Sequence, residues 1–247
     1  YVAIFITPTV PSSVKALADC TWVEIKAVAD AGYKNSKNQW CYRRNGTEEV
    51  WWHIGDEKTI TLSDGEEITL QIYDFLHDDK NDGTKAPLTF GMKNLMASKY
   101  ILCDYMDNTW VTCDMRTKTL PSIYDKFPSA VQAIVSQVDK KTSAGNKSKD
   151  IVGSTETLFL FSEVEVLGDV DDSVEGEGSK YPIFTTNATR IKKLANGTGS
   201  NGESWWLRSP NKNYGHYSCY VLYNGQITSG YVADEDNPHG ICFGFCI

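Results

Sequence analysis

The sequence predicts an α+β fold in which small twisted antiparallel sheets and two main helices support abundant loops. Three observations favour this class. Helical spacing of apolar residues is confined to a few short segments, two-residue alternation dominates elsewhere, and long stretches rich in Gly, Ser, Asn and Asp lie between them. In 247 residues, a hydrophobic fraction of 41% and an aromatic fraction of 12% supply enough apolar surface for a real core.

The first predicted helix follows Thr21. Thr21 and Glu24 have the spacing of a capping box, in which each side chain accepts from the other residue's backbone N–H. The apolar residues Trp22, Ile25 and Val28 then recur at helical spacing, and Gly32 is a natural stop. A third, weaker helix is predicted over residues 92–98.

The second predicted helix starts near Pro128, a residue that suits a first turn. Its apolar residues have the spacing i, i+3, i+4 and i+7 and are Val131, Ile134, Val135 and Val138. Lys140 and Lys141 would then complement the negative C-terminal end of this helix.

Strands are predicted where apolar and polar residues alternate between turn residues. The segment Asn224-Gly225 is typical of a type I′ turn, which joins two antiparallel strands. The predicted strand regions are a hairpin of residues 58–62 and 66–75, a buried strand at 158–161, a second hairpin over 218–232, and a closing strand at 241–247.

Charge and composition exclude several functions. The formal net charge is −8, and without a Lys/Arg-rich block we expect no nucleic-acid partner. No apolar run of about 18 residues is present, so no membrane span is expected. Residues 1–10 lack the features of a signal peptide. The predicted organisation is an N-terminal arm over 1–19 and a single domain over 20–247.

No cofactor or metal is predicted. The seven cysteines include no C-x-x-C pair, which favours buried thiols over a zinc site. Two acidic segments, residues 78–83 and 169–177, have a calcium-like composition but not the spacing of an EF-hand loop. Both are interpreted as solvated acidic turns, and whether either holds calcium stays open.

Phrases spread in order over residues 20–247 resemble a bacterial and phage family of C-type-lectin-like domains found in gut Firmicutes and their phages. They include WVEIKAVADAG at 22–32, LFLFSEVEVLG at 158–168, GEGSKY at 176–181, WWLRSP at 205–210 and GICFGFCI at 240–247. The resemblance implies the C-type-lectin variety of fold that formylglycine-generating enzymes also use. It does not imply sugar binding, because the calcium-dependent sugar-binding triplets of classical lectins do not occur here.

Some members of this class are variable proteins of diversity-generating retroelements, in which a reverse transcriptase rewrites adenine-rich codons near the end of the gene. Residues 211–239 lie between the WWLRSP-like and FGFCI-like phrases and resemble such a variable segment. Five Tyr, four Asn, three Gly and two Ser account for 14 of these 29 residues, and these residue types are enriched in antibody paratopes.

The resemblance therefore implies a non-enzymatic binding protein whose outward residues in 211–239 form one contiguous exposed surface. Cys219 and Val221 are expected to point inward, because strand neighbours alternate faces. The partner would be a protein or cell-surface ligand, and the setting a bacterial cell surface or a phage virion. The predicted binding residues are Tyr214, His216, Tyr217, Tyr220, Leu222, Asn224, Tyr231, Asp234, Asp236 and His239.

Two alternatives stay open. An enzyme on the formylglycine-generating scaffold would use Cys219 and Cys242 as an active-site pair, or would pair Cys219 with His216 as nucleophile and base. An invariant structural module of a larger surface protein would show no diversity in residues 211–239 among sister genes. The WWLRSP segment itself leads to a structural prediction. We expect at least one of Trp205 and Trp206 to be buried, and Arg208 to make a buried or half-buried polar contact.

Overall fold

A computed structural model describes residues 9–104, 109–197, 201–232 and 238–247, and the fold there mixes α and β, as predicted. Short helices alternate with antiparallel strands along the chain. In chain order the elements are α1 (Trp22–Ala31), β1 (Tyr33–Lys34), β2 (Gln39–Arg44), β3 (Thr47–His53), β4 (Glu57–Thr61), β5 (Glu67–Phe75), β6 (Leu88–Met92), α2 (Leu120–Tyr124), α3 (Ser129–Gln132), β7 (Val138–Ser143), β8 (Ile151–Glu156), β9 (Phe159–Leu160), α4 (Glu163–Leu167), α5 (Asn187–Arg190), β10 (Trp205–Pro210), β11 (Tyr217–Val221), β12 (Ile227–Tyr231) and β13 (Phe243–Cys246).

The strands form four small sheets. Their orders are β1-β2-β3, β4-β5-β6-β13-β9, β7-β8 and β10-β11-β12. The predicted hairpin at 58–75 is confirmed as β4 and β5, and the predicted closing strand is β13, which pairs with both β6 and β9. The last strand of the chain is therefore central to the largest sheet, and its side chains are fully buried. No helix in the described ranges is long and apolar enough to cross a bilayer.

The first helix forms as predicted. The Thr21 hydroxyl accepts from the Glu24 N–H, and the Glu24 carboxylate accepts from the Thr21 N–H at 2.8 Å, which completes the capping box. Gly32 is the C-cap of the helix, and a side chain does not fit there, because a Cβ built at Gly32 would lie 2.3 Å from Nε1 of Trp40. That indole instead donates to the Val28 carbonyl at 3.1 Å and closes the helix against β2.

The predicted second helix is wrong beyond its first turn. Only Ser129–Gln132 is helical, and Val138 begins β7, which pairs with β8 over six residue pairs. Lys140 and Lys141 therefore lie in a strand and not at a helix end, and Lys140 is buried. Strand pairing and burial of the Lys140 charge have overridden the local helical spacing.

The helix predicted over 92–98 is also wrong. Leu95 instead forms a parallel bridge with Leu194, and its N–H donates to the Lys193 carbonyl at 2.8 Å. Sequence patterns gave no signal for the π-helical turn at Met115–Thr119 that leads into α2. Both differences arise where contacts between distant segments satisfy the backbone, which a local pattern does not encode.

The C-terminal hairpin is confirmed as β11 and β12, with Cys219 opposite Ser229. Its turn is not type I′, because only Gly225 of the Asn224-Gly225 pair has a positive φ, 82°. The Gly225 N–H donates to the Leu222 carbonyl at 2.9 Å. A Cβ at Gly225 would lie 2.1 Å from the Asn187 carbonyl oxygen, so the turn packs closely against α5.

A candidate binding surface on the C-terminal sheet

Strand β10 is the rigid support of the C-terminal sheet, since all six of its residues are buried. Nε1 of Trp205 donates to the Arg190 carbonyl at 3.0 Å, and Nε1 of Trp206 donates to the Tyr100 carbonyl at 2.7 Å. Satisfied indole N–H groups allow both tryptophans to be buried without a polar penalty. The prediction of a buried tryptophan in this motif is confirmed for both.

Arg208 connects β10 to a buried ion network, which also contains Glu165, Lys140, Asp78 and Tyr181. Its guanidinium donates to both carboxylate oxygens of Glu165, at 2.6 and 2.9 Å. Lys140 Nζ lies 3.0 Å from Glu165 Oε1 and 2.5 Å from Asp78 Oδ1, and it donates to the Tyr181 hydroxyl at 2.8 Å. The predicted buried polar contact of Arg208 is therefore confirmed.

The charges of this network remain ionised despite burial. Burial by itself raises the pKa of Glu165 and of Asp78, but the charges of Arg208 and Lys140 beside Glu165, and of Lys140 beside Asp78, outweigh it. The pKa of each carboxyl is therefore lowered. Burial lowers the pKa of Lys140, yet Asp78 and Glu165 together raise it above its usual value. Removal of one member leaves opposite charges buried without compensation.

The prediction of solvated acidic turns is wrong for one carboxylate in each segment, whereas Asp79, Asp82, Asp169 and Asp171 are exposed as predicted. Asp78 belongs to the ion network, and Glu177 is fully buried, where its carboxylate accepts from the Ser143 N–H at 2.8 Å and from the Ser209 hydroxyl. Burial raises the pKa of Glu177 to about 7. Within the described residues, no group of three or more His, Cys, Asp or Glu side chains could hold a metal ion.

The two faces of the β11–β12 hairpin carry different side chains. Pairing places Tyr217 opposite Tyr231, and these two share a face with the buried Cys219 and Val221, which point inward as predicted. Tyr220 lies on the other face, with its ring centroid 5.6 Å from that of Trp206. The tyrosines of the two strands, which were predicted to face outward together, are therefore divided between the two faces of the sheet.

Tyr214, Tyr217 and Tyr231 form a ring cluster at the open end of the hairpin, which we call the tyrosine surface. Ring centroids are 5.3 Å apart for Tyr214 and Tyr217, and 6.3 Å apart for Tyr217 and Tyr231. Tyr214 is 60% exposed and Tyr217 is 37% exposed, while Tyr231 is half-buried. Exposed aromatic groups in contact with one another are typical of interaction sites.

A single buried side chain organises the loop that carries Tyr214. Oδ1 of Asn211 accepts from the N–H groups of Asn213, at 2.7 Å, and Tyr214, at 2.9 Å. The Asn211 N–H in turn donates to the Tyr217 carbonyl at 2.8 Å. Since Asn211 is buried, this residue is part of the support and not of the exposed surface.

A groove of about 370 Å³ lies beside the tyrosine surface. It is lined by Tyr214, Gly215, His216 and Tyr217 from the β10–β11 loop and by Asn146 and Lys147 from the loop after β7. The groove thus combines aromatic rings, an imidazole, an amide and one cationic side chain. Asn146 and Lys147 belong to a different part of the sequence and were not predicted; no pattern in residues 142–153 indicates that they meet the C-terminal loop.

The remaining predicted binding residues do not join this cluster. His239 is only 5% exposed and packs between Trp206 and Tyr220, so its predicted exposure is wrong. Leu222 and exposed Asn224 lie in the turn at the opposite end of the hairpin, beside the exposed Tyr223, which the sequence analysis did not single out. Asp234 and Asp236 lie outside the described residues.

The side chains of the enzyme alternative are poorly placed for nucleophilic chemistry. Cys219 is buried, and burial raises the pKa of its thiol well above the usual value, whereas His216 is exposed. A further histidine outside this alternative, His77, has its Nδ1 2.8 Å from Asp74. Its Nε2 is nearer to the Ser179 carbonyl oxygen, at 3.1 Å, than to the Ser179 hydroxyl, at 3.3 Å. His77 thus connects β5 to the loop that carries Ser179, which is a structural role.

Comparison with known families places this chain in one of them. Residues 92–241 match the family described as Domain of unknown function (DUF6273), and because the match covers more than half of the chain, the chain belongs to that family. The match includes α2 to β12 and therefore the tyrosine surface and the ion network apart from Asp78, which precedes the matched residues. Neither the curated proteins nor the solved structures contain a significant match.

Proposed function

We propose that this protein binds a protein or cell-surface ligand through the tyrosine surface and the adjoining groove, without catalysing a reaction. One observation carries the proposal: a cluster of exposed, mutually contacting tyrosines lies directly beside a strand in which every residue is buried. Tyrosine provides a large contact area at low entropic cost, and a rigid support limits the further entropy lost on binding.

The proposal includes the fold and the origin of the surface. The fold is the C-type-lectin variety, and residues 211–239 form the segment diversified by a retroelement, on a bacterial cell surface or a phage virion. The small antiparallel sheets and short helices support the coarse architecture. The separation between buried positions, such as Asn211 and Cys219, and exposed ones, such as Tyr214, supports a segment in which only some positions are free to vary.

The binding test uses clones selected against the wild-type protein from a displayed library of random linear and constrained peptides. Tyr214→Ser combined with Tyr217→Ser should weaken most selected clones by at least about tenfold, because aromatic residues dominate binding energy at such surfaces. Tyr223→Ser is the matched control: it removes an equally exposed tyrosine at the far end of the hairpin. Equal losses in both variants would reject the tyrosine surface as the binding site.

Diversification has a separate test. Sister genes should differ mainly in residues 211–239, at exposed positions, and should lie next to a reverse transcriptase gene and a near-copy template rich in AAY codons. Sister genes that are invariant over 211–239 would reject diversification and favour the structural-module alternative, whatever the binding experiment shows.

A further inference from the structure

Among the described residues, the outer edge of β12 presents a row of backbone groups without hydrogen-bond partners in other segments. β12 is the last strand of the β10-β11-β12 sheet, and all five of its residues are half-buried. Hydrogen bonds from Leu222 N–H to Gln226 and from Val232 N–H to His216 flank the β11–β12 register. Because bonded and non-bonded pairs alternate in an antiparallel ladder, Thr228 and Gly230 bond to β11.

The intervening residues Ile227, Ser229 and Tyr231 therefore direct their N–H and C=O groups away from β11. Within the part of the chain that the structure describes, none of these six backbone groups is hydrogen-bonded to another segment. A row of this kind is a template for a further strand.

Two other edge strands carry charged side chains that discourage pairing, and β12 carries none. The edge strand β3 contains Glu48 and Glu49, and the edge strand β4 contains Glu57 and Lys58. Residues 224–232 contain no charged side chain and no proline. In a chain of net charge −8, this neutral edge is a place where two copies can meet without direct repulsion between like charges.

We infer that β12 pairs antiparallel with β12 of a second copy, around a two-fold axis at Ser229, to form a homodimer. The edge is complementary to itself: Ser229 lies opposite Ser229 of the second copy, and Ile227 lies opposite its Tyr231. Three outward N–H and three outward C=O groups on each copy close six hydrogen bonds. The two three-stranded sheets then become one continuous sheet.

The dimer has a consequence for binding. Tyr217, Ile227 and Tyr231 share one face of the sheet, so pairing brings the tyrosine surfaces of both copies onto the same face. A ligand with repeated epitopes would then be held by two surfaces at once, with a gain from effective concentration. Dimerisation does not depend on the proposed function, since it rests on the edge and not on the exposed tyrosines.

Sedimentation velocity of the whole chain over a micromolar concentration series tests the pairing. The wild type should sediment as a dimer. Ser229→Pro removes the outward N–H, which is lost twice across the axis, together with the hydroxyl that accepts from Nδ2 of Asn211 at 2.7 Å, and should weaken the dimer by about tenfold or more. Ser229→Ala loses the same hydroxyl, keeps the N–H and should remain dimeric. A monomeric wild type, or equal dimerisation of the proline and alanine variants, overturns the inference.

Crosslinking tests the register of the β12–β12 pairing in a variant that keeps all of its backbone N–H and C=O groups. Ser229→Cys should give a covalent dimer with a short thiol-reactive crosslinker, because the two positions meet at the axis. Thr59→Cys, in the exposed edge strand β4, is the control and should remain monomeric on denaturing gels. Absence of the Ser229→Cys dimer, or equal crosslinking at Thr59→Cys, contradicts pairing through β12.

Discussion

Strand β10 and the hairpin β11–β12 belong to one sheet but differ in the burial and contacts of their side chains. In β10, Trp205, Trp206 and Arg208 are fully buried, and each has polar partners in other parts of the chain. In the hairpin and its preceding loop, Tyr214 and Tyr217 are exposed, and their rings contact each other. From this comparison we expect that a strand fixed by distant contacts supports neighbours whose outer side chains contribute little to folding.

The largest expected effect is on the ion network. Glu165→Ala should lower the free energy of unfolding by about 3–5 kcal/mol, because Arg208 and Lys140 would stay buried without their shared carboxylate. The control is Glu57→Ala, which removes a 41% exposed partner of Lys93 and should cost about 0–1 kcal/mol. Urea denaturation measures both. If the two variants lose the same free energy of unfolding, the ion network does not stabilise β10 more than an exposed ion pair would.

The tryptophan pair should show an effect of similar size. Trp205→Ala or Trp206→Ala should cost about 3–5 kcal/mol, the usual range for an emptied aromatic site. Both also leave a backbone carbonyl, that of Arg190 or Tyr100, without its indole donor. A melting temperature that is unchanged by either substitution would show that the buried tryptophans do not stabilise this part of β10.

Glu177 should make stability depend on pH in the opposite sense to Asp78. The native Glu177 carboxyl keeps its proton up to about pH 7, whereas in the unfolded chain it loses the proton near its ordinary value of 4.5. The native state therefore binds the extra proton, and the Glu177 contribution to stability falls as pH rises through this window. For Asp78, with its lowered pKa, the contribution is lost as pH falls through the acid range.

Glu177→Gln tests this sign. The variant keeps an oxygen acceptor and cannot ionise, so relative to the wild type it should gain up to about 3 kcal/mol between pH 5 and pH 8. Unfolding free energies at the two pH values give the difference directly. Parallel pH dependence of variant and wild type would mean that Glu177 is ionised in the native state throughout.

The smallest effect on stability is expected at Asn211. Asn211→Ala removes two hydrogen bonds from the loop that carries Tyr214 and a third to the Ser229 hydroxyl, and should cost about 1–3 kcal/mol. Binding of library-selected clones should nevertheless fall markedly, since the loop loses its fixed conformation. Asn213→Ala, an exposed neighbour whose side chain does not hold the loop, is the control. Unchanged binding in Asn211→Ala would show that the loop conformation does not matter.

Local signals predicted local structure well. The capping box at Thr21, the stop at Gly32 and the alternation of Cys219 with Tyr220 are all present, because each depends on neighbours within a few residues. Lys140 and Asp78 were misinterpreted as a helix end and a solvated turn. They are 62 residues apart, and their ion pair exists only after the chain has folded.

The candidate site shows the same limit. Its tyrosines could be predicted from composition, but their division between two faces follows from strand pairing, which places Tyr217 with Cys219 and Tyr220 with Trp206. The burial of His239 depends on packing between two rings that are distant in sequence. The approach of Lys147 to Tyr214 has no local signal at all.

A saturation scan of residues 205–232, scored separately for folded abundance and for binding of a selected clone, tests the central claim most directly. Substitutions at Trp205 and Arg208 should remove folded protein, whereas those at Tyr214, His216 and Tyr217 should keep abundance near the wild-type level and remove binding. The result that would contradict the claim is a loss of abundance at Tyr214 and Tyr217 as large as at Trp205 and Arg208.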